Sequence, residues 1–162
     1  MTKKICNYSG RNYSKIREND RISKETRSKV MSKIRSSGTK LELTFLKALE
    51  DAIHLPFEKN VRSIRGKPDI VFFEKKICIF IDSDFWHGWQ YPRWKMLLKD
   101  DNWREKIEKN RRRDRLVTQY LKRHGWIVIR VWEHNIKLDL NGEIQQIRGL
   151  LNNIESRNNQ SG

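Results

Sequence analysis

Apolar residues recur along this chain with two different periods, one helical and one strand-like, and the two alternate. From Ser23 the spacing is helical: Val30 and Ile34 stand four apart with Met31 beside them, among Arg27, Lys29, Lys33 and Arg35, until Ser36-Ser37-Gly38 breaks the pattern. Leu41, Phe45, Leu49 and Ile53 recur at four-residue steps and predict a helix opening at Thr39-Lys40. Thr39 and Glu42 also fit a capping box, in which the glutamate reaches back to the cap residue's backbone N–H, so a structural role is open to Glu42. Leu55 to Ile64 reads as a short strand and loop, limited by Pro56. Two near-continuous apolar runs follow, Asp69 to Phe73 and Ile77 to Ile81, joined by Glu74-Lys75-Lys76. They predict a hairpin whose strands are covered on both faces.

Aromatic residues crowd the stretch from Ser83 to Asp101, with Phe85, Trp86, Trp89, Tyr91 and Trp94. A long helix is expected from Asp101 or Asn102 to about His124, stopped by Gly125. On it Ile107, Arg111 and Arg115 share one side, while Trp103, Asn110, Asp114 and Val117 recur at helical spacing. Trp126 to Trp132 alternates and is β-branched, which predicts a third core strand ending at Glu133-His134. After a turn at Asp139-Leu140-Asn141-Gly142, residues Ile144, Ile147, Leu150, Leu151 and Ile154 fit a last amphipathic helix. The pattern implies one α/β domain over residues 21–156, a central mixed sheet flanked by helices, with a flexible basic arm at 1–20 and a disordered tail at 157–162.

Charge narrows the function. Lys and Arg number 35 against 20 Asp and Glu, a formal charge of +15, so a polyanionic partner would relieve self-repulsion. Seven cations against three acids fall in residues 103–115, WREKIEKNRRRDR, where Arg111, Arg112 and Arg113 are consecutive and suited to phosphate contact. No apolar run is long enough to span a bilayer, and the expectation is a cytoplasmic, nucleoid-associated protein with no membrane partner. Cys6 and Cys78 read as free thiols, Cys78 inside a core strand.

The chemistry concentrates between Arg65 and Gly88. A Gly66-Lys67-Pro68 corner delivers Asp69 to the head of one strand, and the next ends in Asp82, Asp84 and His87. Acidic strand ends with a histidine suit metal-assisted hydrolysis of a phosphodiester: carboxylates hold a hard cation and a neutral base takes a proton from water. Pro68-Asp69 with acids thirteen residues on resembles the PD-(D/E)xK nuclease core. The usual final lysine is absent from Asp82-Ser83-Asp84, which leaves His87 as the candidate base.

With its surroundings, that substitution resembles the very-short-patch-repair (Vsr) mismatch endonucleases. The matching motifs are Thr26-Arg27-Ser28 through Met31, Glu42, Gly66 to Asp69, Phe85-Trp86-His87, Trp103 through Asp114, and Gly125-Trp126 through Trp132-Glu133, in family order. The resemblance implies a restriction-endonuclease-like fold, Asp69 and the Ile81 backbone carbonyl as Mg²⁺ ligands (Mn²⁺ substituting), and Glu42 supporting the metal's water shell. It implies His87 as general base, Asp114 as its orienter and Asn110 as a further polar site residue. Phe85, Trp86 and Trp103 correspond to wedges entering the duplex from the major groove and Met31 to one from the minor groove; poor pairing lowers the cost of such insertion. Arg27, Lys29 and Arg111 to Arg113 would track phosphates.

Two departures stand out. The family's structural zinc ligands are matched by Asp84, Trp89, Tyr91 and His134, a set unsuited to zinc; no structural zinc is expected, with packing of Trp89, Tyr91 and Trp94 in its place. Asp82 replaces a second histidine of the site. The expected activity is a monomeric Mg²⁺-dependent endonuclease that nicks one strand 5′ of the thymine in a T:G mismatch, with mismatch-repair proteins as further partners. Its alternatives are a restriction or modification-dependent endonuclease on the same core, and a non-catalytic mismatch-binding module.

Overall fold

The computed structural model describes residues 40–98 and 100–159, with side chains to residue 154. The expected arm, the expected helix with Arg27, Lys29 and Met31, and the expected cap at Thr39 lie outside the described residues.

The first helix, α1, spans Lys40–Ala52 and turns Phe45 and Leu49 into the core, as the four-residue period requires. A two-residue strand β1 (Glu58–Lys59) leads through the glycine corner to β2 (Ile70–Phe72) and β3 (Ile77–Asp82). A short helix α2 (Tyr91–Trp94), continued by a 3₁₀ turn at Lys95–Leu97, precedes the long helix α3 (Asp101–Arg123). Strand β4 (Ile127–Trp132) and α4 (Glu133–Asn159) complete the order.

The four strands form one mixed sheet in the order β1-β2-β3-β4. The first two pairings are antiparallel, and β3 pairs with β4 in parallel, the crossover being α3. Alternation divides the sheet between two cores. Ile70, Phe72, Ile77 and Ile79 meet α1 and α4 through Phe45, Leu49, Ile144, Ile147 and Leu151. Val71, Cys78 and Phe80 face the other way, onto Val117 and Leu121 of α3. Both central strands are thus covered on both faces, as their continuous apolar runs require. Asp82 continues the Cys78 and Phe80 alternation, so it points toward α3.

Several boundaries differ from expectation. The cap of α3 is Asp100, whose side chain accepts from the Asn102 backbone N–H; Asp101 already lies within the helix. Gly125 does follow the helix, in the left-handed region with φ 78°. Among the described residues strand β4 is at the sheet edge, and only its Val131 is fully buried. The expected turn at Asp139 is a kink (φ −153°, ψ 76°) inside α4, where the Asp139 carboxylate accepts from the Gly142 N–H. The six residues before the kink are helical, although too short to show a period in the sequence. Helix α4 also continues to Asn159, three residues into the expected tail.

Candidate active site

The turn after β3 carries the FWH segment, folded by His87 N–H to Ser83 O and Trp89 N–H to Asp84 O at 3.1 and 2.8 Å. Gly88 makes the next step possible. It sits at φ +68°, and a β-carbon there would meet Arg111 Cδ at 2.7 Å and Ile107 Cγ2 at 3.0 Å, so only glycine lets the segment lie against α3. Gly66 plays the same part at the other corner, where a β-carbon would fall 2.3 Å from Val117 Cγ1.

That contact brings His87 to Asp114, with Nδ1 2.7 Å from Asp114 Oδ2. Burial pushes the Asp114 carboxyl up, but the hydrogen bond and charge of His87, followed by Arg130 and Arg113, outweigh it and leave the group below its ordinary value. An ionised Asp114 can only accept, so the Nδ1 of His87 donates to it and Nε2 faces away from this contact. Asn110, one turn earlier, donates its amide to Trp86 O at 3.1 Å and ties the same segment to the helix.

Asp69 stands just before β2, where Oδ2 accepts from the Ile81 N–H at 2.7 Å. Burial pushes its carboxyl up and the Ile81 hydrogen bond pulls it down; the charges of Glu42 and Asp82 raise it further, to about 6 against an ordinary 3.8. A carboxylate oxygen is the kind of donor that a hard divalent cation takes. Asp69 and the Ile81 carbonyl are the oxygens that could hold such a cation, and the charge of Glu42 is felt at Asp69. Among the described residues no cluster of three or more His, Cys, Asp or Glu could hold a metal ion.

Asp82 is only 2% exposed. Its Oδ1 lies 3.3 Å from His87 Nδ1, and its Oδ2 accepts from Arg130 Nε at 2.9 Å. Burial raises its carboxyl, with His87 and Arg130 opposing. Arg130 was not singled out in the sequence, although one arginine inside the apolar run IVIRVW is a signal, since a charge in a strand needs a partner.

Phe85, Trp86 and Trp103 come together, with Trp86 and Trp103 centroids 5.1 Å apart and Phe85 5.1 Å from Trp86. Lys106 Nζ lies 4.5 Å over the Trp86 ring, and the Trp86 Nε1 is buried with no partner. The three arginines diverge: Arg111 packs over Tyr91, Arg112 is exposed, and Arg113 turns to Asp114 at 3.2 Å.

Trp89, Tyr91 and Trp94 all pack against aromatic rings, in two groups joined by Trp94 Nε1, which donates to Trp89 O at 2.7 Å. Trp89 meets His134 at 4.4 Å and Trp132 at 4.9 Å, whereas Trp94 stacks on Phe85 at 5.8 Å and meets Tyr91 edge-on. Asp84 Oδ1 lies 2.6 Å from His134 Nδ1, so these two of the four positions are hydrogen-bonded to each other. Trp132 is therefore a wall beside the site and not core, while Trp126 does pack on the α3-side core.

A mixed sheet with acidic strand ends, beside a histidine–aspartate dyad held by a basic helix, defines a nuclease of the PD-(D/E)xK type. Residues 19–93 match the family model described as DNA mismatch endonuclease Vsr. The type II nicking enzyme V.NmeDIP of Neisseria meningitidis serogroup C is 43% identical over 119 residues, covering 72% of this chain and 80% of that protein. V.HpaIIP of Haemophilus parainfluenzae, also a type II nicking enzyme, is 41% identical over 120 residues, 72% of this chain and 84% of that one. The DNA mismatch endonuclease Vsr of Escherichia coli K12 is 37% identical over 111 residues, 68% and 70% of the two chains. The chain belongs to the Vsr endonuclease family.

Proposed function

We propose that this protein nicks one strand of duplex DNA 5′ of the thymine in a T:G mismatch by Mg²⁺-dependent phosphodiester hydrolysis, the step that opens very short patch repair. The observation that carries the reading is the His87–Asp114 contact at 2.7 Å, made at the strand end that also bears Asp69. Two relatives are named as nicking enzymes and a third as a mismatch endonuclease, which supports both halves of it.

His87 Nε2 takes a proton from water as the water oxygen bonds to phosphorus and an ester oxygen leaves. Asp114 fixes the tautomer and steadies the imidazolium that forms. Asp69 and the Ile81 carbonyl would hold Mg²⁺, with Glu42 supporting its waters. Bound there, Mg²⁺ supplies charge stabilisation at the phosphoryl oxygens and a more acidic water. Asp82 is closed off from solvent and engaged through both oxygens, so it holds geometry and does not hand a proton to the leaving group.

The Phe85, Trp86 and Trp103 rings form the wedge, and unstacking costs least at a base pair that is already weak. One such site per chain fits a monomer that cuts a single strand. End-labelled duplexes differing only in one T:G pair, incubated with Mg²⁺, provide the test. A cut confined to the thymine strand is expected; equal cutting of both strands of matched duplex would overturn the proposal.

A further inference from the structure

Arg130 is where this site departs from a simple dyad. It lies on β4 opposite Phe80 of β3, and its guanidinium carbon sits 4.9 Å over the Phe80 ring, which aims it along the sheet toward Asp82. Nε donates to Asp82 Oδ2 at 2.9 Å and Nη2 reaches Asp114 Oδ1 at 3.3 Å. The other oxygen of each acid faces His87 Nδ1, Asp114 Oδ2 at 2.7 Å and Asp82 Oδ1 at 3.3 Å. The two carboxylates thus share one imidazole and the Arg130 guanidinium, while Asp114 Oδ1 also meets Arg113 Nη2 at 3.2 Å.

We infer that Arg130 is a positioning residue, which holds Asp82 and Asp114 apart in a closed ring and so decides that Asp114 is the acid that orients His87. Without the guanidinium, two nearly buried carboxylates compete for one Nδ1–H, and Asp82, on the rigid strand end, draws the ring off Asp114. Nε and Nη2 of the planar fork hold the two acids from separate, fixed nitrogens, a geometry that lysine's single nitrogen does not reproduce. The remaining nitrogen, Nη1, is buried without a partner and borders a cavity of about 500 Å³ lined also by Trp89, Arg111, Arg115, Thr118 and Trp132. That leaves a rival role for Arg130 as a phosphate contact, which the test separates.

The inference rests on the nicking reading for its kinetic arm only. In the free protein, nitrogen-edited NMR should show a His87 Nδ1–H sheltered by Asp114 in wild type. It should be lost or displaced in Arg130→Met and in Arg130→Lys, the latter keeping the charge should the former fail to fold. In single-turnover nicking of the T:G duplex, both variants should lose about 10- to 100-fold in rate, the range seen when groups that orient a reactive side chain are removed. DNA affinity measured without divalent cation should not change. Arg130→Met/Asp82→Asn should recover most of the loss, because removing one acid ends the competition. An unchanged His87 signal in both variants would overturn the inference, as would a double variant no better than Arg130→Met. So would a loss confined to affinity with a salt slope smaller by about one, the mark of a phosphate contact. Failure of wild type to nick would instead strike the proposed function and leave the NMR arm standing.

Discussion

Replacing Asp69 by asparagine should abolish nicking and yet make the metal-free protein more stable. The carboxyl is held up at about 6 against an ordinary 3.8, mainly by burial, with Glu42 and Asp82 adding to it. A raised carboxylate destabilises the fold once pH exceeds its unfolded value. The penalty is absent below about pH 4, grows as pH rises toward 6 and is then complete. Two pKa units correspond to about 3 kcal/mol. Asparagine can still accept from the Ile81 N–H, but its buried amide needs a partner and returns about 1 kcal/mol. The net gain at pH 7.5 is about 1–2 kcal/mol, or about 2–8 °C in Tm for a domain of this size. Urea denaturation in EDTA from pH 4 to 8 would measure it as a difference between variant and wild type that opens with pH. Adding Mg²⁺ should stabilise wild type and leave the variant unmoved, closing the gap. A variant no more stable than wild type at any pH, or one that still responds to Mg²⁺, would refute the assignment of Asp69 as an electrostatically strained metal ligand.

Other outcomes follow from the same geometry. Asp114→Asn should cut the nicking rate about 10²- to 10⁴-fold, because the amide leaves His87 free to adopt the wrong tautomer; single-turnover kinetics would read it. Asp114 has a lowered carboxyl, so its stabilising contribution is fully present above its unfolded value near 3.8 and is lost as pH falls through the lower folded value. Acid titrations of wild type and Asp114→Asn should therefore diverge above about pH 4 and converge in stronger acid. Gly88→Ala should cost about 1–3 kcal/mol in denaturation and slow nicking, since a β-carbon meets Arg111 Cδ at 2.7 Å in a left-handed backbone. Cys78 is fully buried with its thiol pushed up to about 11 by burial, so in a Cys6→Ser variant a thiol reagent should react only on unfolding.

The central hairpin was legible because its apolar runs are continuous and its turn is charged, and the stripes of α1 and α3 because their periods are long. Edges and short elements were not. Strand β4 reads as core from its β-branched residues, yet among the described residues it lies at the edge, and the alternation of IVIRVW does not say how many neighbours a strand has. The helical turns at Glu133–Leu138 span too few residues for a period to emerge. Of the site, the acidic strand ends and His87 stood out by residue type. The pairing of His87 with Asp114, 27 positions on, came only from resemblance, because side-chain contact between a turn and a helix leaves no spacing to read. Arg130 and the Asp84–His134 contact were missed for the same reason: each joins residues about 50 apart.

The most direct test of the account is single-turnover cleavage of a T:G duplex by wild type and His87→Ala at saturating protein and Mg²⁺, with binding measured alongside. The predicted result is one cut on the thymine strand by wild type, and undiminished binding with no cut by the variant. A His87→Ala protein that nicks at the wild-type rate would contradict the assignment of His87 as the base.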